Sequence, residues 1–219
     1  MNDFWEKSFQ KNRKMWGEAP SEAAVIVAND FMQQGYKEVL IPGCGYGRNA
    51  KPFVDLNINV TGIEISQMAI EIASKVVPDR FKIYKGNVMD MPFDGKKYDG
   101  IFCYSLLHLL SLEERLNLIN KCYSQLTKGG TMVFVTLSIN DHQYGKGKEI
   151  SQNRFLSKHN VELYFHNATT IDKEFGEFGL IGAKEILEPI KNSKSNTHQT
   201  FWMVTCKKRL ASKVHICKS

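Results

Sequence analysis

From Lys37 onward the chain alternates short β-branched runs with stretches of helical period. In order they are KEVLIP, a helical stretch around Ala50 to Leu56, NVTGIEI, QMAIEIASKVV, FKIYKGN, YDGIFCY, EERLNLINKCYSQL and TMVFVTL. Consecutive parallel strands need a crossover, and right-handed crossovers lay helices on both faces of the sheet. The pattern therefore predicts a doubly wound α/β fold. A further helix is expected from Ser21 to Gln34, after Pro20. At the other end, IGAKEILEP and TFWMVTCKK read as two more strands joined by the turn-rich KNSKSNTHQ. Such a connection suits a hairpin, so the sheet should be seven-stranded and mostly parallel with an antiparallel last strand.

With 219 residues, 42% of them hydrophobic, the chain can bury one sizeable core and is short for two. One domain over residues 1–209 is expected. The five cysteines, Cys44, Cys103, Cys122, Cys206 and Cys217, have no paired short spacing, which argues against a structural zinc site or a disulfide framework. The N-terminus, MNDFWEKSFQKNRK, has no apolar targeting core, and no later stretch is long enough to span a bilayer. A cytoplasmic protein without a membrane partner is expected. The net charge of +6 suggests nucleic acid, but its location argues otherwise. Residues 207–219 carry five bases and no acids, which leaves 24 bases against 23 acids in the body. The surplus sits in a basic tail, residues 210–219 included, so a nucleic-acid partner is not expected.

The first strand breaks into PGCGYGRN, with Gly43, Gly45 and Gly47 on alternate positions. A tight turn needing positive φ accounts for one such glycine, or two. Three of them after the first strand of a βαβ array point to a ligand beyond the carboxyl ends of the strands. A dinucleotide fingerprint would require G-x-G-x-x-G, and its third glycine is here replaced by Arg48. Glu64, one βαβ unit later in GIEI, is placed to accept hydrogen bonds from ribose hydroxyls. Flanked by Ile63 and Ile65, it is an acid that would be costly to bury unpaired.

PGCGYGRN followed by GIEIS, KGNVMDMPF, YDGIFCYSLLHL and LTKGGTMVFV resembles the class I S-adenosylmethionine-dependent methyltransferases over about Val39 to Leu137. The opening FWEKSF…MWGEAPSE is similar to the tellurite-resistance and thiol methyltransferase-like branch of small-molecule enzymes. The resemblance implies a Rossmann-like sheet and S-adenosyl-L-methionine as cofactor. It sets Gly43, Cys44, Gly45 and Gly47 under the methionine end, Glu64 on the ribose and Ile65 against adenine. Asn87 and Val88 would hold the adenine edge, with Met89 nearby; the family more often has Asp in the Asn87 slot, and Asn offers an amide oxygen without the charge. Cys103 and Tyr104 would lie beside the sulfonium and amino acid portion. Residues 1–20 would form a lid with Trp16 as a roof over the cofactor.

Methyl transfer from a sulfonium needs alignment and exclusion of water more than it needs a catalyst group. A thiolate, halide or chalcogen acceptor requires no strong base, whereas an oxygen or nitrogen acceptor must lose a proton to one. Tyr104 and His108 after the fourth strand, and Asp141, His142 and Tyr144 after the fifth, are the candidates to touch the acceptor, with Tyr104, His108 and His142 preferred. No metal is expected, because His159 and His166 lack a partner carboxylate or cysteine cluster. A nicotinamide-dependent oxidoreductase and a non-catalytic nucleotide-binding module are the alternatives. Neither the acceptor nor the oligomeric state is encoded legibly.

Overall fold

A computed structural model describes residues 2–77, 80–189 and 198–210. Among the described residues, ten strands and six α-helices follow one another in the order α1 (Asn2–Asn12), α2 (Glu22–Gln33), β1 (Glu38–Pro42), α3 (Lys51–Asp55), β2 (Asn59–Glu64), α4 (Gln67–Val76), β3 (Phe81–Lys85), β4 (Tyr98–Tyr104), α5 (Leu112–Gln125), β5 (Leu126–Leu137), β6 (Lys148–Ser151), β7 (Arg154–Leu156), β8 (Glu162–Tyr164), α6 (Ala168–Phe175), β9 (Leu180–Glu188) and β10 (Gln199–Lys207).

The main sheet has seven strands in the order β3-β2-β1-β4-β5-β10-β9. β1 to β5 are parallel, and β10 runs antiparallel to both β5 and β9. Because helices cover both faces, the central strands are apolar on both sides, which is why VLIP and IFC read as continuous hydrophobic runs. One face packs Phe31 of α2 and Phe53 of α3 on Phe102 and Val133; the other packs Leu118 and Ile119 of α5 and Phe175 of α6 on Ile101 and Phe134. The strand order reverses between β1 and β4, so the carboxyl ends of β1, β2 and β4 border the crevice where such sheets bind ligands.

Helix starts follow their caps. Ser21, Ser66 and Asn167 each accept a backbone N–H three residues on, and Ser111 forms a reciprocal capping box with Glu114. Ser66 places the start of α4 directly after Glu64, which fixes the geometry of the ligand crevice.

Two elements differ from the sequence expectation. Residues 2–12 form a helix, although their irregular pattern argues against one. The helix is held by tertiary burial, with Phe9 at 3% exposure against Tyr46, Ala69 and Ile72. Between β5 and α6 the chain builds a separate antiparallel sheet, β6-β7-β8, that the strand pattern does not announce. Its strands are three or four residues long and bury little besides Phe155. This small sheet is anchored from below. Arg115 of α5 lies under the Tyr164 ring at 3.7 Å and pairs at 2.7 Å with Glu174 of α6, which also faces His166. Arg115 and Arg154 both donate to the Leu110 carbonyl.

Among the described residues no helix is long and apolar enough to cross a membrane. Most of the turn-rich connection between β9 and β10 and most of the basic tail lie outside the described residues.

Candidate active site

The three glycines serve different purposes. All have positive φ, 65° at Gly43, 54° at Gly45 and 81° at Gly47, so the loop turns where L side chains are disfavoured. A Cβ on Gly43 would meet Leu106 at 3.0 Å. On Gly47 it would meet Phe81 at 3.1 Å and Ala73 at 3.3 Å, which makes Gly47 a packing position between loop, α4 and β3. Gly47 does not line the cavity, contrary to its expected place under a ligand. Gly45 is the open one: a Cβ there would find nothing nearer than Phe9 at 3.9 Å. Its N–H points to Oε2 of Glu64 at 2.8 Å, while Oε1 takes the N–H groups of Ile65 and Ser66, both at 2.9 Å. Glu64 is 7% exposed, and burial outweighs these three bonds, so its carboxyl is held above the usual range.

In front of this loop lies a cavity of about 390 Å³, within the size range of small-molecule sites. Its sheet-side half is bordered by Gly43, Gly45, Glu64, Ile65, Asn87 and Val88. Asn87 turns its amide oxygen to the Met89 N–H at 3.0 Å, and Met89 itself stays off the cavity wall, with its sulfur near Asn117. The second half continues past Tyr104 and Ser105 to Leu110, His159, Val161 and Leu163, so the small inserted sheet forms its outer wall. Ser105 follows β4 in the left-handed region with φ 57°, a strained conformation, and lines the cavity. Nothing in the sequence singles out Ser105.

The loop side chains also clasp the N-terminal segment. Tyr46 donates to the Gly17 carbonyl at 2.8 Å, Arg48 donates from Nη1 to the carbonyls of Trp16 and Ala19 at 3.2 Å each, and Asn49 accepts the Ser21 N–H at 2.9 Å. Trp16 stacks on Tyr46 with an 8° interplanar angle and lines the cavity together with Trp5 and Phe9. Arg48, which replaces the third fingerprint glycine, is thus committed to holding the strap.

Of the residues expected to meet an acceptor, Tyr104 and His108 reach the cavity and His142 does not. Tyr104 donates its hydroxyl to the buried Glu188, and burial beside that carboxylate pushes the phenol well up. His108 is buried, with Nδ1 lacking a partner among the described residues. Desolvation, with His166 nearby, drives its imidazole down to about 3, so the ring is neutral. His142 has a side chain 42% exposed and turns Nδ1 to the His198 carbonyl at 3.0 Å. Its neighbour Asp141 accepts the Thr200 N–H at 2.7 Å, and Tyr144 donates to Asn153; the residue of this loop that enters the cavity is Gln143. Cys103 is fully buried, does not line the cavity and has its thiol pushed up by desolvation. His166 is engaged with Glu174 and lies apart from the cavity wall that His159 borders.

Comparison with known proteins decides what this site belongs to. Residues 39–130, from β1 to the start of β5, match the family model described as a methyltransferase domain. The chain carries a methyltransferase domain. The chain is 22% identical over 199 residues to an Arabidopsis thaliana protein described as "Probable thiol methyltransferase 2", covering 88% of this chain and 85% of that one. It is 23% identical to thiocyanate methyltransferase 1 of Brassica oleracea, over 64% of each. Its fold superposes with a TM-score of 0.70 on 1,6-didemethyltoxoflavin-N1-methyltransferase of Burkholderia thailandensis, at 16% identity and covering 95% of this chain and 87% of that one. The residues present fit the cofactor: Gly45 leaves open a cradle that a side chain would fill, and the Glu64 carboxylate borders that same space.

Proposed function

We propose that this methyltransferase transfers a methyl group to a small soft nucleophile, of the thiol or thiocyanate kind, bound in the half of the cavity between Tyr104 and the inserted sheet. The observation that carries this reading is the continuity of one cavity from the Gly45 and Glu64 end to the Leu110, Val161 and Leu163 end. A ligand on the glycine loop and a second on the insertion would share one water-poor space. The names of the thiol and thiocyanate relatives favour a sulfur acceptor.

Glu64 holds the ribose hydroxyls with the acceptor capacity left after its three backbone bonds. Ile65, Asn87 and Val88 take the adenine, and the backbone at Gly43, Gly45, Tyr104 and Ser105 runs beside the methionine portion. When bound, the cofactor supplies an activated methyl carbon. The chain's own part is to orient the acceptor and exclude water, through the aromatic roof of Trp5, Phe9 and Trp16 and the apolar wall of the insertion. Residues 1–20 act as a lid on a single domain. A cytoplasmic location agrees with the free state of the four described cysteines.

Calorimetric titration with S-adenosylmethionine and with NADH tests the reading. Saturable binding of the first alone is expected, and saturable binding of NADH instead would sink it.

A further inference from the structure

The adenine end of the cavity is short of hydrogen-bond acceptors. The 6-amino group of an adenine is a donor and needs one. Asn87 spends its amide oxygen on the Met89 N–H at 3.0 Å, capping the turn Val88–Asp90, and its other polar group, Nδ2, only donates. Glu64 already takes three backbone N–H groups and is assigned to the ribose. Ile65 and Val88 bring no polar side chain.

Helix α5 supplies the missing group. One stripe of this helix, at spacings of three and four residues, follows the segment 88–91 step by step. Nε2 of Gln125 lies 3.9 Å from the Met91 sulfur, Lys121 donates to the Met91 carbonyl at 2.6 Å, and Nδ2 of Asn117 lies 3.8 Å from the Met89 sulfur. The next residue of the stripe toward the helix N-terminus is Glu114, and it borders the same cavity as Asn87 and Val88. Its orientation is set in advance. Oε2 accepts the Ser111 N–H at 2.8 Å in the capping box, while Oε1 has no partner among the described residues. Arg115, next in the chain, is turned to Glu174 and does not compete for that oxygen. Bonds to a charged acceptor are about twice as strong as those to a neutral amide oxygen.

We propose that Glu114 reads the 6-amino group of the cofactor's adenine, accepting from it on Oε1, and so replaces the acceptor that Asn87 lacks and an aspartate there would offer. This rests on the methyltransferase reading above and adds a residue to its cofactor site. Recognition of the base is then shared between the turn after β3 and the first turn of α5.

The test compares binding of the full chain to S-adenosylhomocysteine and to S-inosylhomocysteine, which carries a 6-oxo acceptor where the first has the amino donor. Calorimetry should show the first bound roughly a hundredfold more tightly, because the oxo group sets its lone pairs against the carboxylate. In Glu114→Gln that ratio should fall roughly tenfold, since the glutamine amide can turn its donor to the oxo group. Glutamine also serves in a capping box, so the melting temperature should change little. Glu113→Gln removes the same charge from the same turn at an exposed position off the cavity wall, and should leave the ratio as it is. In the double variant Asn87→Asp, Glu114→Gln the ratio should recover, because aspartate keeps the cap on one oxygen and offers the other as an acceptor. Equal affinities for the two ligands in the wild type, an unchanged ratio in Glu114→Gln, or the same fall in Glu113→Gln would overturn the proposal. A double variant as indifferent as Glu114→Gln would overturn the exchange of roles with Asn87. Absence of binding of either ligand to the wild type would overturn the methyltransferase reading itself, and this proposal with it.

Discussion

The Gly45 N–H lies 2.8 Å from Oε2 of Glu64, so one carboxylate ties the glycine loop after β1 to the end of β2. The same side chain also orders the first residues leading into α4 through Ile65 and Ser66. Removing it has two consequences. Glu64→Ala should weaken S-adenosylmethionine binding by about 1 to 3 kcal/mol, and should lower stability because three N–H groups lose their partner. Isothermal titration and urea denaturation measure the two separately. Unchanged affinity would remove Glu64 from the cofactor site.

The contrast between Gly45 and Gly47 is testable in the same way. Gly45→Val should leave a folded domain that no longer binds the cofactor, since its side chain enters the open cradle. Gly47→Val should fail at folding, because the added atoms collide with Phe81 and Ala73. Circular dichroism and cofactor titration on both variants decide; loss of fold in Gly45→Val would mark the first as a purely structural turn.

The main sheet is legible in the sequence because its strands are buried on both faces and separated by helices of clear period. The small inserted sheet is not, because KEIS, RFL and ELY are too short and too exposed to show a pattern. The loop after β5 shows a related difficulty. Its polarity marks a binding region but does not tell which side chain turns inward, and the backbone N–H groups of Thr200 and Gln143 claim Asp141, leaving His142 outside and Gln143 within. The helix at residues 2–12 depends on a docking surface, Tyr46 and α4, that no local pattern contains.

That docking predicts a coupling between the N-terminal helix and the cofactor. The Ser66 hydroxyl donates to Glu6 at 2.6 Å, while the Ser66 N–H holds Glu64. Cleavage by trypsin between Lys7 and Lys14 should therefore be slowed by S-adenosylhomocysteine, and Glu6→Ala should raise the rate in the free protein. Equal rates with and without bound ligand would mean that the segment is not a lid.

His108 gives the fold an acid sensitivity with a definite sign. Its imidazole is driven from the usual 6.5 to about 3 by burial. The unfolded chain therefore binds a proton below about pH 6.5 that the folded chain refuses until about pH 3, and stability falls as pH drops through that window. From this group alone the loss between about pH 7 and about pH 5 is on the order of 2 kcal/mol. Urea denaturation at the two values should show it, and His108→Asn should flatten the slope. The buried His166, also shifted down, adds in the same direction.

Methyl transfer in this cavity is read out by release of S-adenosylhomocysteine, with mass-resolved methyl product, across thiols, halides, tellurite, phenols and amines. Stoichiometric release with a methylated thiol or other soft anion is expected, with phenols and amines inert. Saturable binding of S-adenosylmethionine without release above background for any acceptor would contradict it and leave a nucleotide-binding module in its place.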